Sequence, residues 1–287
     1  MSQVRINQGF ATRREIDLQL YPPPVKRPAR IRRQDLEDKL AALQQDYAEL
    51  HTAIFEAAQI HRRLCAPRLV RHGEFEIASE IFAVRYLPGD FFTVEEASGG
   101  LILALGDVCG KGLAAGMWTP CLVGLVRVHA AVTSEPHAIV AGVNREFCRM
   151  HAPLTSVFMA RLDPASGTLD YCSAGHPPAL LLRASGQLES LSEGGMLLGM
   201  AADAPFRTGR VELGAGDILL AYSDGVIESC NNVDQEFGDE RLESELRLAR
   251  TGSADRVLFS ILGAVQDFAA PHPLTDDTSL VVVRQSD

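Results

Sequence analysis

The sequence predicts an α+β fold with largely antiparallel sheets, and three observations carry that prediction. Apolar stretches of strand length come in runs, with helical periodicities grouped between the runs instead of alternating with single strands. Several stretches pair across short turns: TSVFMARLD and TLDYCSAG flank Pro164–Gly167, and ALLLRA and QLESL flank Ser185–Gly186. A composition of 46% hydrophobic and 22% charged residues over 287 positions makes a chain able to bury a sizeable core.

Taken in order, residues 1–33 form a basic leader of net charge +6, which leaves −16 for the rest of a chain whose total is −10. Its Pro-rich stretch Tyr21–Arg30, YPPPVKRPAR, is expected to be extended and flexible; the alternative is a docking peptide for an acidic partner. Residues 34–66 then read as one amphipathic helix. Leu36, Leu40, Leu43, Tyr47, Leu50, Ile54, Ala57, His61 and Leu64 recur in steps of four and three, a heptad seam that Pro67 ends. Leu at the d positions suits a parallel homodimer through 34–64, whereas a helix folded back on the body would use the same face. Residues 67–287 make up the globular domain.

Its first strands are expected at Glu76–Tyr86, at Phe91–Val94 after the Pro88–Gly89 turn, and at Leu101–Leu105. A helix follows from about Leu113 to Val132, with Pro120 kinking it or marking its true start, and a second covers Ala138–His151. After the two hairpins, Arg210–Leu213 and Asp217–Tyr222 around Gly214–Gly216 read as a third. The last helix is expected over Arg241–Leu248 or Ala254–Phe268, ahead of a closing strand at Ser279–Arg284.

Composition also excludes functions. The six cysteines form no CxxC pair and no secretory signal precedes them, so they read as reduced thiols in a cytoplasm. Thr119–Val132 is interrupted by Pro120, Arg127 and His129 and falls short of the roughly 20 residues of a membrane span. An acidic body argues against nucleic-acid binding by the main domain.

Chemistry is suggested by where the carboxylates fall. Asp90 follows Gly89, Asp107 follows Gly106, Asp224 precedes Gly225, and Asp276–Asp277 stand before the last strand. Strand ends of packed sheets converge, so these widely separated residues can meet, and like charges brought together need cations between them. Hard oxygen donors without a Cys/His cluster imply Mg²⁺ or Mn²⁺. For any one of them, ordinary turn chemistry is the competing account. The GKG of Gly110–Gly112 is no Walker loop, and GxSxG, HExxH and GxGxxG are absent. His176 in SAGHPP reads as a structural loop histidine, with a ligand or base as the alternative.

In order, LPGDFF (87–92), LALGDVCGKG (103–112), VNRE (143–146), FMARLDPASGTLDYCSAGHPPALLLR (158–183), LLG (197–199), GDILLAYSDGVIES (216–229), FGDERL (237–242) and DDTSLVVVR (276–284) resemble one family. They look like the SpoIIE/RsbU branch of the PPM metal-dependent serine/threonine phosphatases, relatives of protein phosphatase 2C. The resemblance implies a β-sandwich of two antiparallel sheets flanked by helices, with two Mn²⁺ or Mg²⁺ ions at one edge. It implies that Asp107 bridges both metals with the Val108 carbonyl on one, that Asp224 and Asp276 complete the other, and that Asp90 acts directly or through water. Asp277, Gly106 and Gly225 are expected to support the ligands from behind. His176 stands where relatives often have an Asp in an additional metal site, which puts a third ion in doubt.

Departures from the family pattern are Thr93, Pro120 and Thr278, none of them a principal ligand. The implied function is dephosphorylation of a phosphoserine/phosphothreonine protein, an anti-sigma-factor antagonist in bacterial partner switching, with a separate regulatory protein as a further expected partner. The rival is a non-catalytic dimeric scaffold that binds a phosphoprotein without turnover.

Overall fold

The computed structural model describes residues 32–65, 69–97 and 100–285, so all of the leader but Arg32 and Arg33, and Pro67, lie outside the described residues. Contacts divide the chain into two units, Met1–Glu49 and Leu50–Asp287, with the boundary inside α1 (Arg33–Cys65). In the first unit, Leu36, Leu40, Leu43 and Tyr47 of the heptad seam are exposed. In the second, His61 and Cys65 are buried, the His61 ring meets Thr119, and Arg62 pairs with Glu80 at 3.0 Å.

The elements of the second unit run β1 (Leu69–His72), β2 (Phe75–Phe82), β3 (Asp90–Ala97), β4 (Gly100–Val108), α2 (Leu113–Ala130), α3 (Pro136–Met150), β5 (Thr155–Asp163), β6 (Thr168–Ala174), β7 (Ala179–Leu182), β8 (Leu188–Leu191) and β9 (Gly194–Gly195). They continue with β10 (Gly209–Glu212), β11 (Ile218–Tyr222), α4 (Asp224–Ile227), α5 (Gly238–Ala249), α6 (Ala254–Ala269) and β12 (Thr278–Gln285). One sheet has the order β1-β2-β12-β11-β7-β8; the other has β10-β6-β5-β4-β3, with β9 beside β6. All pairings are antiparallel except β6 with β9.

Three apolar layers explain why the central strands read as unbroken apolar runs. Leu101, Leu103 and Leu105 of β4 join Val281 and Val283 of β12 in the core between the sheets. Ile102 and Ala104 face the layer that holds Val123 and Val126 of α2 and Val140 and Phe147 of α3. Leu280 and Val282 face Ile261 and Val265 of α6. Each strand is buried on both faces, and each such Leu, Ile or Val contributes about 1.5–3 kcal/mol of burial. The result is an α+β sandwich with helices on both outer faces.

Two expectations change. Pro120 does not mark the start of α2, which runs from Leu113 to Ala130 with the proline inside it. Proline deprives the Gly116 carbonyl of its helical donor, and the Thr119 hydroxyl takes over at 3.0 Å. Nor do β10 and β11 form a hairpin: β10 pairs with β6 in one sheet, and β11 lies between β12 and β7 in the other. A strand buried along its whole length needs neighbours on both sides, which an edge strand such as β10 cannot provide alone. Both expected late helices exist, as α5 and α6. Among the described residues, α2 is long and apolar enough to cross a membrane, and it packs on β3, β4 and α3.

Candidate metal centre

The carboxylates singled out above lie at one edge of the sandwich, brought there by strand register. Asp90 opens β3 and sits directly opposite Asp107 near the end of β4. Gly106 lets the strands close at that point, since a Cβ there would lie 2.4 Å from the Ser156 carbonyl and 2.6 Å from the Phe91 ring. Asp224 begins α4 one residue after β11, behind Ser223, and Asp276–Asp277 precede β12, the neighbour of β11. Gly225 makes that approach possible, because any side chain would collide with the Asp277 carbonyl.

Asp90 is 2% exposed, and its Oδ2 has no hydrogen bond of ordinary geometry although the Ser223 and Ser279 hydroxyls are near. Burial, and after it the Asp107 charge, raise its carboxyl well above the usual range. Asp107 is raised to about 6 by burial and then by Asp224, with Asp276 and Asp277 adding to it and a hydrogen bond with Asp90 opposing. Asp277 has a different task. Its two oxygens accept from the backbone N–H groups of Val84 and Gly89, both at 2.9 Å, which ties the loop before Asp90 to the start of β12. Asp276 accepts from the Asp277 N–H at 3.0 Å and pairs with Lys111 at 2.7 Å.

Among the described residues, no three His, Cys, Asp or Glu side chains close around a single point as a ready metal cage. The donor set still fits a hard divalent cation: carboxylate oxygens, an orphaned buried Oδ2, and a proton affinity at Asp107 raised by its neighbours. The Val108 carbonyl lies beside Asp107, where a Cβ on Gly89 would come within 3.0 Å of that oxygen and 3.2 Å of Asp107 Oδ1.

His176 is buried, and burial pushes its pKa down to about 3. Its Nδ1 lies 2.8 Å from Ser156 Oγ, on the residue opposite Asp107 in β5, and its carbonyl accepts from Ser173. Sequence reasoning passed over Ser223, Ser279 and Lys111. The two serines carry no spacing signal, since they meet Asp90 only because β11 and β12 are neighbours. Lys111 stood in plain view within the glycine turn.

The family model described as Stage II sporulation protein E (SpoIIE) matches residues 97–286. Protein IcfG of Synechocystis sp. is 24% identical over 226 residues, 67% of this chain and 36% of its own length. The phosphoserine phosphatase RsbU of Bacillus subtilis is 23% identical over 243 residues, 83% of this chain and 71% of its own. The chain thus spans about a third of the first relative and under three quarters of the second. Among solved structures, the SiaA-PP2C domain of Pseudomonas aeruginosa superposes with a TM-score of 0.71 at 17% identity, covering 83% of this chain and 98% of that domain. Fold, ordered motifs and family model agree, and the chain belongs to the SpoIIE family, within the SpoIIE/RsbU branch of the PPM phosphatases.

Proposed function

We propose that this protein is a Mn²⁺- or Mg²⁺-dependent phosphoserine/phosphothreonine protein phosphatase. One observation carries the reading: Asp90 and Asp107 face each other, buried, with an oxygen left unpartnered and Asp224 and Asp276 at the same edge. Asp107 and the Val108 carbonyl would hold one ion, Asp224 and Asp276 a second shared through Asp107, and Asp90 would act directly or through water. Two such ions supply an acidified water and positive charge for the phosphoryl oxygens. The chain's own part is orientation. Asp277 fixes the loop before Asp90, Gly106 and Gly225 let the strands close, and Ser223 and Ser279 stand behind the Asp90 carboxylate.

The family points to a phosphorylated anti-sigma-factor antagonist as substrate and to a cytoplasmic setting. The exposed Leu36, Leu40, Leu43, Tyr47 and Leu50 support a homodimer through 34–64, in which the His61 end of the seam is already taken by Thr119, with α1 or a separate regulatory protein as the route of control. Purified protein should release phosphate from a phosphopeptide or from p-nitrophenyl phosphate when Mn²⁺ or Mg²⁺ is supplied, and EDTA should stop it. Release that survives EDTA would sink the reading. Stoichiometric phosphoprotein binding without release under either metal would favour the scaffold.

A further inference from the structure

Lys111 is the one charged side chain of the glycine turn that the chemistry above leaves unused. It stands between Gly110 at φ +120° and Gly112 at φ +70°, backbone conformations that suit glycine and set the lysine at the apex between β4 and α2. Its ammonium lies 2.7 Å from Asp276 Oδ2. Among the described residues, this is the single ion pair that any of Asp90, Asp107, Asp224, Asp276 and Asp277 makes. Both partners are about half exposed, 48% and 45%, so the contact is weakly held and can be traded.

The surroundings say what it can be traded for. Asp276 lies close enough to Asp107 to raise that carboxyl, so a divalent cation among the carboxylates competes with the ammonium for the same oxygens. An ammonium and a metal ion repel, so a cation held by Asp276 favours release of Lys111 from it. It cannot go far, being tethered on a short turn. Arg85 is beside it, with Nη1 3.4 Å from where a Cβ on Gly112 would stand. The two cations line a cleft of about 740 Å³ together with Tyr86, Leu87 and Leu113. A released ammonium there, with a guanidinium beside it, meets the requirements of a phosphate oxygen.

We infer that Lys111 is an exchangeable counter-ion: it neutralises Asp276 while no divalent cation is bound, gives way to the cation, and then binds the phosphate of the substrate at the mouth of the cleft. The inference rests on the proposed function for the identity of the anion, but its test does not depend on turnover. Lys111→Met keeps the aliphatic stem and removes the charge; Lys111→Gln is uncharged but polar; Lys111→Arg keeps the charge. Calorimetry of the full chain, stripped with EDTA, should show Mn²⁺ binding tighter by up to about fivefold in the Met and Gln variants, the range for an exposed ion pair, and near wild type in the Arg variant. Orthophosphate titrated into the Mg²⁺-saturated protein should bind roughly tenfold more weakly to the Met and Gln variants, the scale of one charged hydrogen bond, and be restored by Arg.

Mn²⁺ affinity unchanged or weakened in the uncharged variants overturns the exchange. Unchanged orthophosphate affinity overturns the phosphate role. If the wild-type chain binds neither Mn²⁺ nor Mg²⁺, the phosphatase reading falls with it. If metal binding and turnover are intact and the variants behave as wild type, this inference alone fails.

Discussion

Asp170 and Asp217 are as buried as Asp90, at 2%, 6% and 2% exposure, yet the three are treated in opposite ways. Asp170 receives the Arg210 guanidinium on both oxygens, at 2.5 and 3.1 Å, with Arg161 at 3.9 Å. Asp217 accepts from Arg183 at 2.9 Å and from the N–H groups of Ala184 and Gly214 at 2.8 and 3.0 Å. Asp90 faces Asp107 instead and keeps an unpartnered oxygen. A buried carboxylate matched by arginine or backbone donors is neutralised where it stands, whereas one matched by another carboxylate carries a like-charge repulsion that the proposed cations would relieve. What distinguishes structure from site here is the neighbour, not the residue type or its burial.

The comparison breaks first at activity. Asp107→Asn or Asp224→Asn should lower metal-dependent phosphate release by more than about 100-fold, beyond what losing a ligand's supporting partner costs, whereas Arg183→Met should leave kcat within about twofold. Equal losses in both would erase the distinction between the two kinds of aspartate.

It sharpens next in pH. The folded pKa of Asp107, about 6, lies above its unfolded value of 3.8, so its contribution to stability is fully present below pH 3.8 and disappears as pH rises through about 6. EDTA-treated wild-type protein should therefore lose up to about 3 kcal/mol relative to Asp107→Asn between roughly pH 4 and pH 7. Parallel melting curves for the two proteins across that range would show that Asp107 carries no such strain. For Asp217 the expectation is a fixed loss: Arg183→Met should cost about 1–3 kcal/mol in urea unfolding at pH 7, because two backbone donors remain. The smallest effect belongs to a neutral group. Thr119→Val takes the donor from the Gly116 carbonyl that Pro120 strands, and about 1 kcal/mol should be lost with activity retained.

Much of this was legible in the sequence, and the unread parts share a cause. LILAL, ILLAY and VVV name their own strands because burial on both faces leaves no polar position to confuse the pattern. The seam of α1 is read from spacing alone. Asp217 follows a glycine and opens a strand just as Asp90 does, so the Gly–Asp pattern could not say which of them is matched by arginine. That depends on Arg183, which follows β7 and meets Asp217 from the neighbouring strand, next to the Leu182–Ile218 pair. The false hairpin has the same origin: neighbours in sequence, Arg210–Leu213 and Asp217–Tyr222, belong to different sheets, and no local signal marks the crossing. Pro120 does not mark the start of α2, and the Thr119 hydroxyl that serves the carbonyl it strands is one residue away and counts for nothing in a propensity.

The position of β12 has a consequence for how the molecule is made. It is inserted between β2 and β11, with Thr278 opposite Phe82 and Tyr222 opposite Leu280. Until a ribosome has produced that strand, β2 and β11 each present a naked edge, and the nascent sheet can neither close nor display Asp276 and Asp277. Pairing across so much intervening chain is slow, and open edges invite association with other nascent chains. The same strand that completes the sandwich thus also completes its acidic edge, which exists only once β12 lies between β2 and β11.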